Sequence, residues 1–209
     1  MKDKLEKYIL EHTSSHDDLL YKLYRETFLK VIHPEMIAGP YLGKFLEIIS
    51  LILKPKYILE IGTFTGYSTI CLSKGLANEG KIYTIEINEE LQEISNKYFQ
   101  EAGIKHKVIE LLGDAKEIIK NLDVEFDLVY IDGSKREYPI YYDLIFPKLK
   151  NGGVILADNV LWYNNVINEK CCDKDTNGIK LFNEKVQNDS RVENIIIPIR
   201  DGFMLIYKR

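Results

Sequence analysis

Carboxylates recur in this 209-residue sequence at one kind of place, the end of a short apolar run that leads into a turn. Glu60 precedes Ile61-Gly62-Thr63-Phe64-Thr65-Gly66, Glu86 closes the next run ahead of Ile87, and Asp114 stands between Gly113 and Ala115. Asp132 opens Gly133-Ser134-Lys135, and Asp158 is followed by Asn159. A single acidic turn is equally well a solvated turn or a helix cap; a whole set on one edge points to a site. Asp132, Asp158 and Asn159 offer oxygen donors only, as a hard divalent cation such as Mg²⁺ requires, with positions left for water or substrate. The absence of His or Cys from this set disfavours zinc. Lys135 falls three residues after Asp132, and a lysine near a metal can have a lowered pKa and act as a base.

The first turn has a different chemistry. Gly62 and Gly66 let backbone pass close to a ligand, but the turn is neither G-x-G-x-x-G nor a phosphate loop ending in G-K-[ST]. A nicotinamide dehydrogenase and a nucleotide-phosphate cradle are therefore disfavoured. Glu86 sits where an acidic residue takes ribose hydroxyls in dinucleotide folds. Together with Glu60 it suits a cofactor that has a ribose, lacks a phosphate and carries positive charge. S-adenosylmethionine has those properties.

The elements that must present these residues follow from apolar spacing. Leu5, Ile9 and Leu10, then Leu19, Leu20, Leu23, Tyr24, Phe28 and Val31, repeat at helical intervals. Ser14-Ser15-His16-Asp17 supplies cap candidates for the second helix, Pro34 ends it, and a third helix runs from Gly39-Pro40 to Leu53. Residues 1–54 thus read as N-terminal helices on a core of residues 55–209, all in one domain. In the core, strands and helices alternate. Strands are expected at Tyr57–Ile61, Lys81–Ile85, Lys107–Leu111, Phe126–Ile131 and Gly153–Ala157. Helices are expected at about Tyr67–Leu76, after the Asn88 cap to Ala102, at Ala115–Asn121, at Tyr138–Leu149 and near Ile179–Gln187. Two last strands flank Asp201-Gly202, a hairpin signal. Five strand–helix repeats predict a doubly wound, mostly parallel α/β sheet with an antiparallel edge from the hairpin. Ligands of such sheets bind beyond the carboxyl ends of the strands, where the acidic residues lie.

Composition narrows the rest. Charged residues make up 29 % and the formal net charge is -4, without a basic run, so a large nucleic-acid footprint is not expected. Cys71, Cys171 and Cys172 do not make a disulfide framework, which fits a reducing compartment. Metal binding by Cys171 and Cys172 would need further Cys or His nearby, and none is present. The N-terminal residues lack the apolar core of a signal peptide. The apolar stretch around 45–53 is interrupted by Glu47 and Ser50 and reads as too short to span a bilayer. A cytoplasmic protein that contacts no membrane is expected.

LEIGTFTGYST, YTIEIN, LLGDAKEII, FDLVYIDGSKREYPIYYDLIFPKLKNGGVILADNVLW and RVENIIIPIRDG together resemble the metal-dependent catechol/caffeoyl-CoA-type O-methyltransferases, from about Leu19 to the last residue. The resemblance implies a Rossmann-like class I methyltransferase fold whose seven-stranded sheet has an antiparallel last strand. It implies S-adenosylmethionine as methyl donor and Mg²⁺, or another divalent cation such as Mn²⁺ or Ca²⁺. On this resemblance Met36, Glu60, Gly62, Thr63, Phe64, Ser68, Glu86, Ile87, Asp114, Ala115 and Asp132 are cofactor-binding positions. Asp132, Asp158 and Asn159 are the metal ligands, and Lys135 is the base. It also implies a homodimer, with the N-terminal helices as lid and dimer contact. Gly133-Ser134 and Tyr163-Asn164-Asn165 depart from the family pattern where substrate is framed. The expected reaction is methylation of one hydroxyl of a catechol-type small molecule; a hydroxylated tRNA base is the alternative acceptor.

Overall fold

The computed structural model describes residues 2–209, with Lys2, Asp3 and Glu6 described in backbone only. Three N-terminal helices, α1 (Lys2–Glu11), α2 (Asp18–Lys30) and α3 (Gly39–Leu53), precede the alternating core. Asp17 is the residue that caps α2, its Oδ1 accepting from the Leu20 amide at 3.1 Å. The core runs β1 (Tyr57–Ile61), α4 (Tyr67–Ser73), β2 (Lys81–Glu86), α5 (Gln92–Glu101), β3 (Val108–Leu112), α6 (Ala115–Asn121), β4 (Phe126–Ile131), α7 (Tyr138–Ile145), β5 (Leu149–Asp158), α8 (Lys174–Gln187), β6 (Val192–Ile197) and β7 (Phe203–Lys208).

The strands lie in the order β3-β2-β1-β4-β5-β7-β6. β1 through β5 pair in parallel, and β7 is antiparallel to both β5 and β6. The sheet is therefore the expected seven-stranded one with an antiparallel last strand. The hairpin, however, places β7 one position in from the edge and leaves β6 outermost.

Period-two alternation sorts each strand's side chains between two cores. Ile58, Leu128 and Tyr130 face Leu20, Leu42, Leu46, Ile70 and Phe99 of the α2–α5 layer. Leu59, Ile61, Val129 and Ile131 face Ile119, Tyr138, Tyr142 and Phe182 of the α6–α8 layer. Four helices differ in extent from the reading of the sequence; α5 begins at Gln92, after a tighter turn over Glu89–Leu91 that Asn88 caps. α4 stops at Ser73, because Gly75 passes so close to Ser50 of α3 that a Cβ there would lie 2.1 Å from the Ser50 carbonyl carbon. α7 gives way at Phe146 to a tighter turn containing Pro147, which removes an amide donor. α8 begins at Lys174, five residues before Ile179, because Asp173 caps it by accepting from the Asp175 and Thr176 amides.

The segment Pro34–Leu53, 20 residues long, is by length and composition apolar enough to cross a membrane, contrary to the expectation from its last residues alone. In the fold one face of α3 packs into the core, while Ile48, Leu51 and Ile52 on the other are exposed. Leu42, Leu46 and Ser50 are buried, and Lys44, 9 % exposed, forms an ion pair with Glu47.

Candidate active site

The chain winds outward in both directions from β1 and β4, so their carboxyl ends flank the topological switch point. There the backbone must come very close. The Asp132 amide donates to Ile61 O at 2.9 Å, and a Cβ on Gly62 would sit 2.4 Å from Asp132 O. Gly62 also has φ +100, so a residue without a side chain is required. Above this contact opens a cleft of about 1720 Å³.

Most of the expected residues line it: Met36, Gly62, Phe64, Glu86, Ile87, Asp114, Ala115, Asp132, Lys135, Asp158 and Asn159. Thr63 and Ser68 line a small side pocket together with Met36, Gly62, Phe64 and Asp132. Glu86 secures the first turn to the second, accepting from the Phe64 amide at 2.7 Å and from the Ile87 and Asn88 amides at 2.9 Å. Asp114 caps α6 through the Lys116 amide at 2.8 Å.

Glu60 is the exception. It is fully buried and lines neither the cleft nor the side pocket. Its even position in β1 turns it toward α4 and β2, where Oε2 accepts from Thr69 Oγ1 at 2.5 Å and Thr84 Oγ1 at 2.6 Å. Oε1 makes no hydrogen bond of good geometry. Burial pushes this carboxyl up to about 7, with the Ser68, Thr69 and Thr84 hydroxyls pulling the other way and the Asp132 charge adding to the rise. Glu60 thus lies beneath the loop and not on the cleft wall.

The opposite half of the cleft holds the acidic pair. The β4–β5 register sets Ile131 against Ala157, which places Asp132 beside Asp158. Tyr130, buried on the same strand face as Asp132, lies beneath both, its hydroxyl 3.4 Å from Asp132 Oδ2 and 3.5 Å from Asp158 Oδ2. Burial and the neighbouring Asp132 charge raise the pKa of Asp158. Lys135 Nζ donates to Asp132 Oδ1 at 2.7 Å and to the Tyr138 hydroxyl at 2.8 Å. Burial lowers the lysine's pKa, but Asp132, Tyr138 and Asp158 outweigh it and raise the value, so in this arrangement Lys135 is an ammonium. Two carboxylates facing the amine act against the lowered pKa expected of a lysine beside a metal.

The donor chemistry of Asp132, Asp158 and Asn159 fits a hard cation: oxygen only, on adjoining strand ends, with two carboxylates that repel each other. No group of three or more His, Cys, Asp or Glu suited to a metal occurs among the described residues; Asn159 adds an amide oxygen to the two carboxylates along the cleft. Sequence reasoning missed Tyr130, Tyr138 and Arg200. Period-two alternation could have found Tyr130, two residues before Asp132. Arg200, whose Nη1 donates to Ala38 O at 2.8 Å across the cleft rim, has no local signal.

The sequence profile of the O-methyltransferase family matches residues 10–209. The chain belongs to that family. The expectation of an S-adenosylmethionine-dependent O-methyltransferase enzyme with the class I fold stands. The chain is 28 % identical to a catechol O-methyltransferase of Niastella koreensis, over 94 % of this chain and 90 % of that one. It is 30 % identical to a caffeoyl-CoA O-methyltransferase of Populus kitakamiensis, over 78 % and 74 %. The crystal structure of the O-methyltransferase TomG from Streptomyces achromogenes, in complex with SAM, superposes with a TM-score of 0.89 at 28 % identity, covering 98 % of this chain and 96 % of that one.

Proposed function

We propose that this O-methyltransferase methylates one hydroxyl of a vicinal dihydroxy-aromatic small molecule and depends on a divalent cation held by Asp132, Asp158 and Asn159. One observation carries the reading: the buried Asp158 and the half-buried Asp132, two mutually repelling carboxylates, meet at the floor of the cleft, with an ammonium and a phenol beside them. A cation bound there would act as a Lewis acid on the acceptor hydroxyl, lowering its pKa. The relatives named for catechol and caffeoyl-CoA support the same acceptor class. Neither the cleft nor these relatives favour a hydroxylated tRNA base.

The chain's own residues divide the work. Glu86 and the Phe64 turn hold the nucleoside end of S-adenosylmethionine, while Met36, Thr63 and Ser68 in the side pocket hold the end that carries the methyl group. Trp162 and Tyr163 wall the acceptor side. Lys135 keeps a proton at Nζ beside the acceptor oxygen and, in that form, stabilises a phenolate by a charge-assisted hydrogen bond. It takes up the hydroxyl proton in the fraction of molecules in which its own has been lost, and that fraction grows as the charge on Asp132 and Asp158 is offset. Most of the acceleration comes from positioning.

The test is methyl transfer from S-adenosylmethionine to a panel of catechols and caffeoyl thioesters, with and without EDTA. Activity should vanish in EDTA and return with Mg²⁺ or Mn²⁺, and Asp158→Ala should be inactive in both. Full activity in EDTA sinks the metal, and an inert catechol panel sinks the acceptor. The exposed apolar residues Leu5, Tyr8, Tyr21, Leu51 and Ile52 on the N-terminal helices support a homodimer, which light scattering should read as twice 24.3 kDa.

A further inference from the structure

The segment after Asp158 is under backbone strain. Asn159, Trp162, Tyr163 and Asn164 have φ of 59, 45, 54 and 61, all in the left-handed region, and none is glycine. The asparagines adopt this region readily, but Trp162 and Tyr163 cost about 1 kcal/mol or more each, so surrounding contacts must hold the segment in this form.

Most of those contacts come from the turn between β6 and β7, with Asn183 of α8 adding a hydrogen bond to Val160 O at 2.9 Å. Residues 199–202 form a tight turn closed by the Gly202 amide on Ile199 O at 2.9 Å, with φ +50 at Arg200. Gly202 O accepts from the Val160 amide and Asp201 O from the Leu161 amide, both at 3.0 Å. The Asp201 carboxylate then accepts from the Tyr163 amide at 2.7 Å. Gly202 lies so close that a Cβ there would meet Leu161 Cγ at 2.3 Å. At its other side the turn is tied down by Arg200, which donates to Ala38 O at 2.8 Å at the start of α3.

We infer that Asp201 is a positioning residue for acceptor specificity: its carboxylate fixes the strained Asn159–Asn164 segment and so sets where Trp162 and Tyr163 stand over the cleft. This rests on the reading above that these two rings wall the acceptor. Asp201 lines neither the cleft nor the side pocket, and its carboxylate reaches the cleft through the segment that carries Trp162 and Tyr163, so its influence should fall on acceptor and not on cofactor. The sequence shows Asp201-Gly202 as a hairpin signal; the structure gives the carboxylate a second task that a turn alone does not require.

Trp162 is the single tryptophan of the chain, so its fluorescence reads the wall directly and needs no knowledge of the acceptor. Asp201→Ala removes the carboxylate, while Asp201→Asn keeps an oxygen that can accept from the Tyr163 amide. Asp201→Ala should shift the Trp162 emission, increase its quenching by acrylamide, and raise the acceptor KM about fivefold, as loss of one hydrogen bond implies. Binding of S-adenosylhomocysteine, followed by calorimetry, should stay within about twofold. Asp201→Asn should restore both emission and KM. Unchanged emission and quenching in Asp201→Ala overturns the inference. So does an Asp201→Asn protein as impaired as Asp201→Ala, or a parallel loss of S-adenosylhomocysteine binding. If Asp201→Ala does not fold, the Asp201→Asn protein still decides, since wild-type emission and KM are required of it. If no catechol reacts, the acceptor reading fails, while the fluorescence arm still decides the role of Asp201.

Discussion

Replacing Glu60 by glutamine tests the claim that this carboxylate supports the cofactor loop from below, out of reach of the cofactor itself. Glu60 is fully buried, and its pKa is pushed from the ordinary 4.5 up to about 7. Below pH 4.5 it is protonated both folded and unfolded and carries no penalty. Between 4.5 and about 7 the unfolded chain gives up the proton and the native state keeps it, so stability falls as pH rises. At about 1.4 kcal/mol per pH unit the loss reaches about 3 kcal/mol above pH 7. With about 2 cal/mol/K of unfolding entropy per residue over 209 residues, that equals about 7 °C in Tm. Glutamine cannot ionise, so this slope should disappear. The new amide places its NH₂ where Oε1 has no good partner, and that costs about 1–3 kcal/mol at every pH. Glu60→Gln should therefore melt below wild type at pH 5 and draw level with or pass it at pH 8. Other titrating groups cancel in the difference between the two proteins. The assay is thermal melting of both proteins without cofactor from pH 5 to 8, followed by S-adenosylhomocysteine titration at pH 8. Melting curves that stay parallel across the range refute the buried, half-protonated carboxyl. A loss of S-adenosylhomocysteine affinity beyond about tenfold restores Glu60 as a direct cofactor contact.

Two further substitutions probe the same end of the cleft. Gly62→Ala puts a Cβ 2.4 Å from Asp132 O at a φ of +100, and should cost at least about 2 kcal/mol of stability along with most of the cofactor affinity; a protein that melts within about 1 °C of wild type contradicts the close approach of the β1 and β4 ends. Glu86→Ala strips the Phe64, Ile87 and Asn88 amides of their common acceptor, and calorimetry should show S-adenosylhomocysteine binding weakened about 10- to 100-fold with acceptor KM little changed; unaltered binding removes Glu86 from the nucleoside site.

What could be read from the sequence was whatever local pattern dictates. Five apolar runs alternating with helical spacing imply the doubly wound sheet, and the carboxyl-end rule gathers Glu86, Asp114, Asp132 and Asp158 on one edge. The same rule misjudged Glu60, because it places residues at a strand end without saying which face they take. Glu60 shares its parity with Ile58, and that parity points into the α4 layer; the turn begins only at Gly62. It also left open what the residues do to one another. A lysine beside a metal is expected to have a lowered pKa, whereas two carboxylates, one of them on another strand, act on Lys135 in the opposite direction, and the pairing of β4 with β5 brings them together.

The least legible part was the acceptor wall, and the reason is physical. Asn159–Asn164 has no periodicity, and its left-handed residues are held by a turn that arrives about 40 positions later; Tyr163 and Asp201 are 38 apart, and Arg200 and Ala38 are 162 apart. Contacts of that separation leave no mark on local composition. They also explain why the wall can depart from the family pattern at Tyr163-Asn164-Asn165 while the Asp132 and Asp158 pair stays in place. The carboxylates are fixed by strand register, whereas the segment carrying the rings above them is held by a distant turn, through its backbone and the Asp201 carboxylate, and by Asn183 of α8. Substrate choice can therefore change through that turn and its segment without disturbing the strand ends where the chemistry occurs.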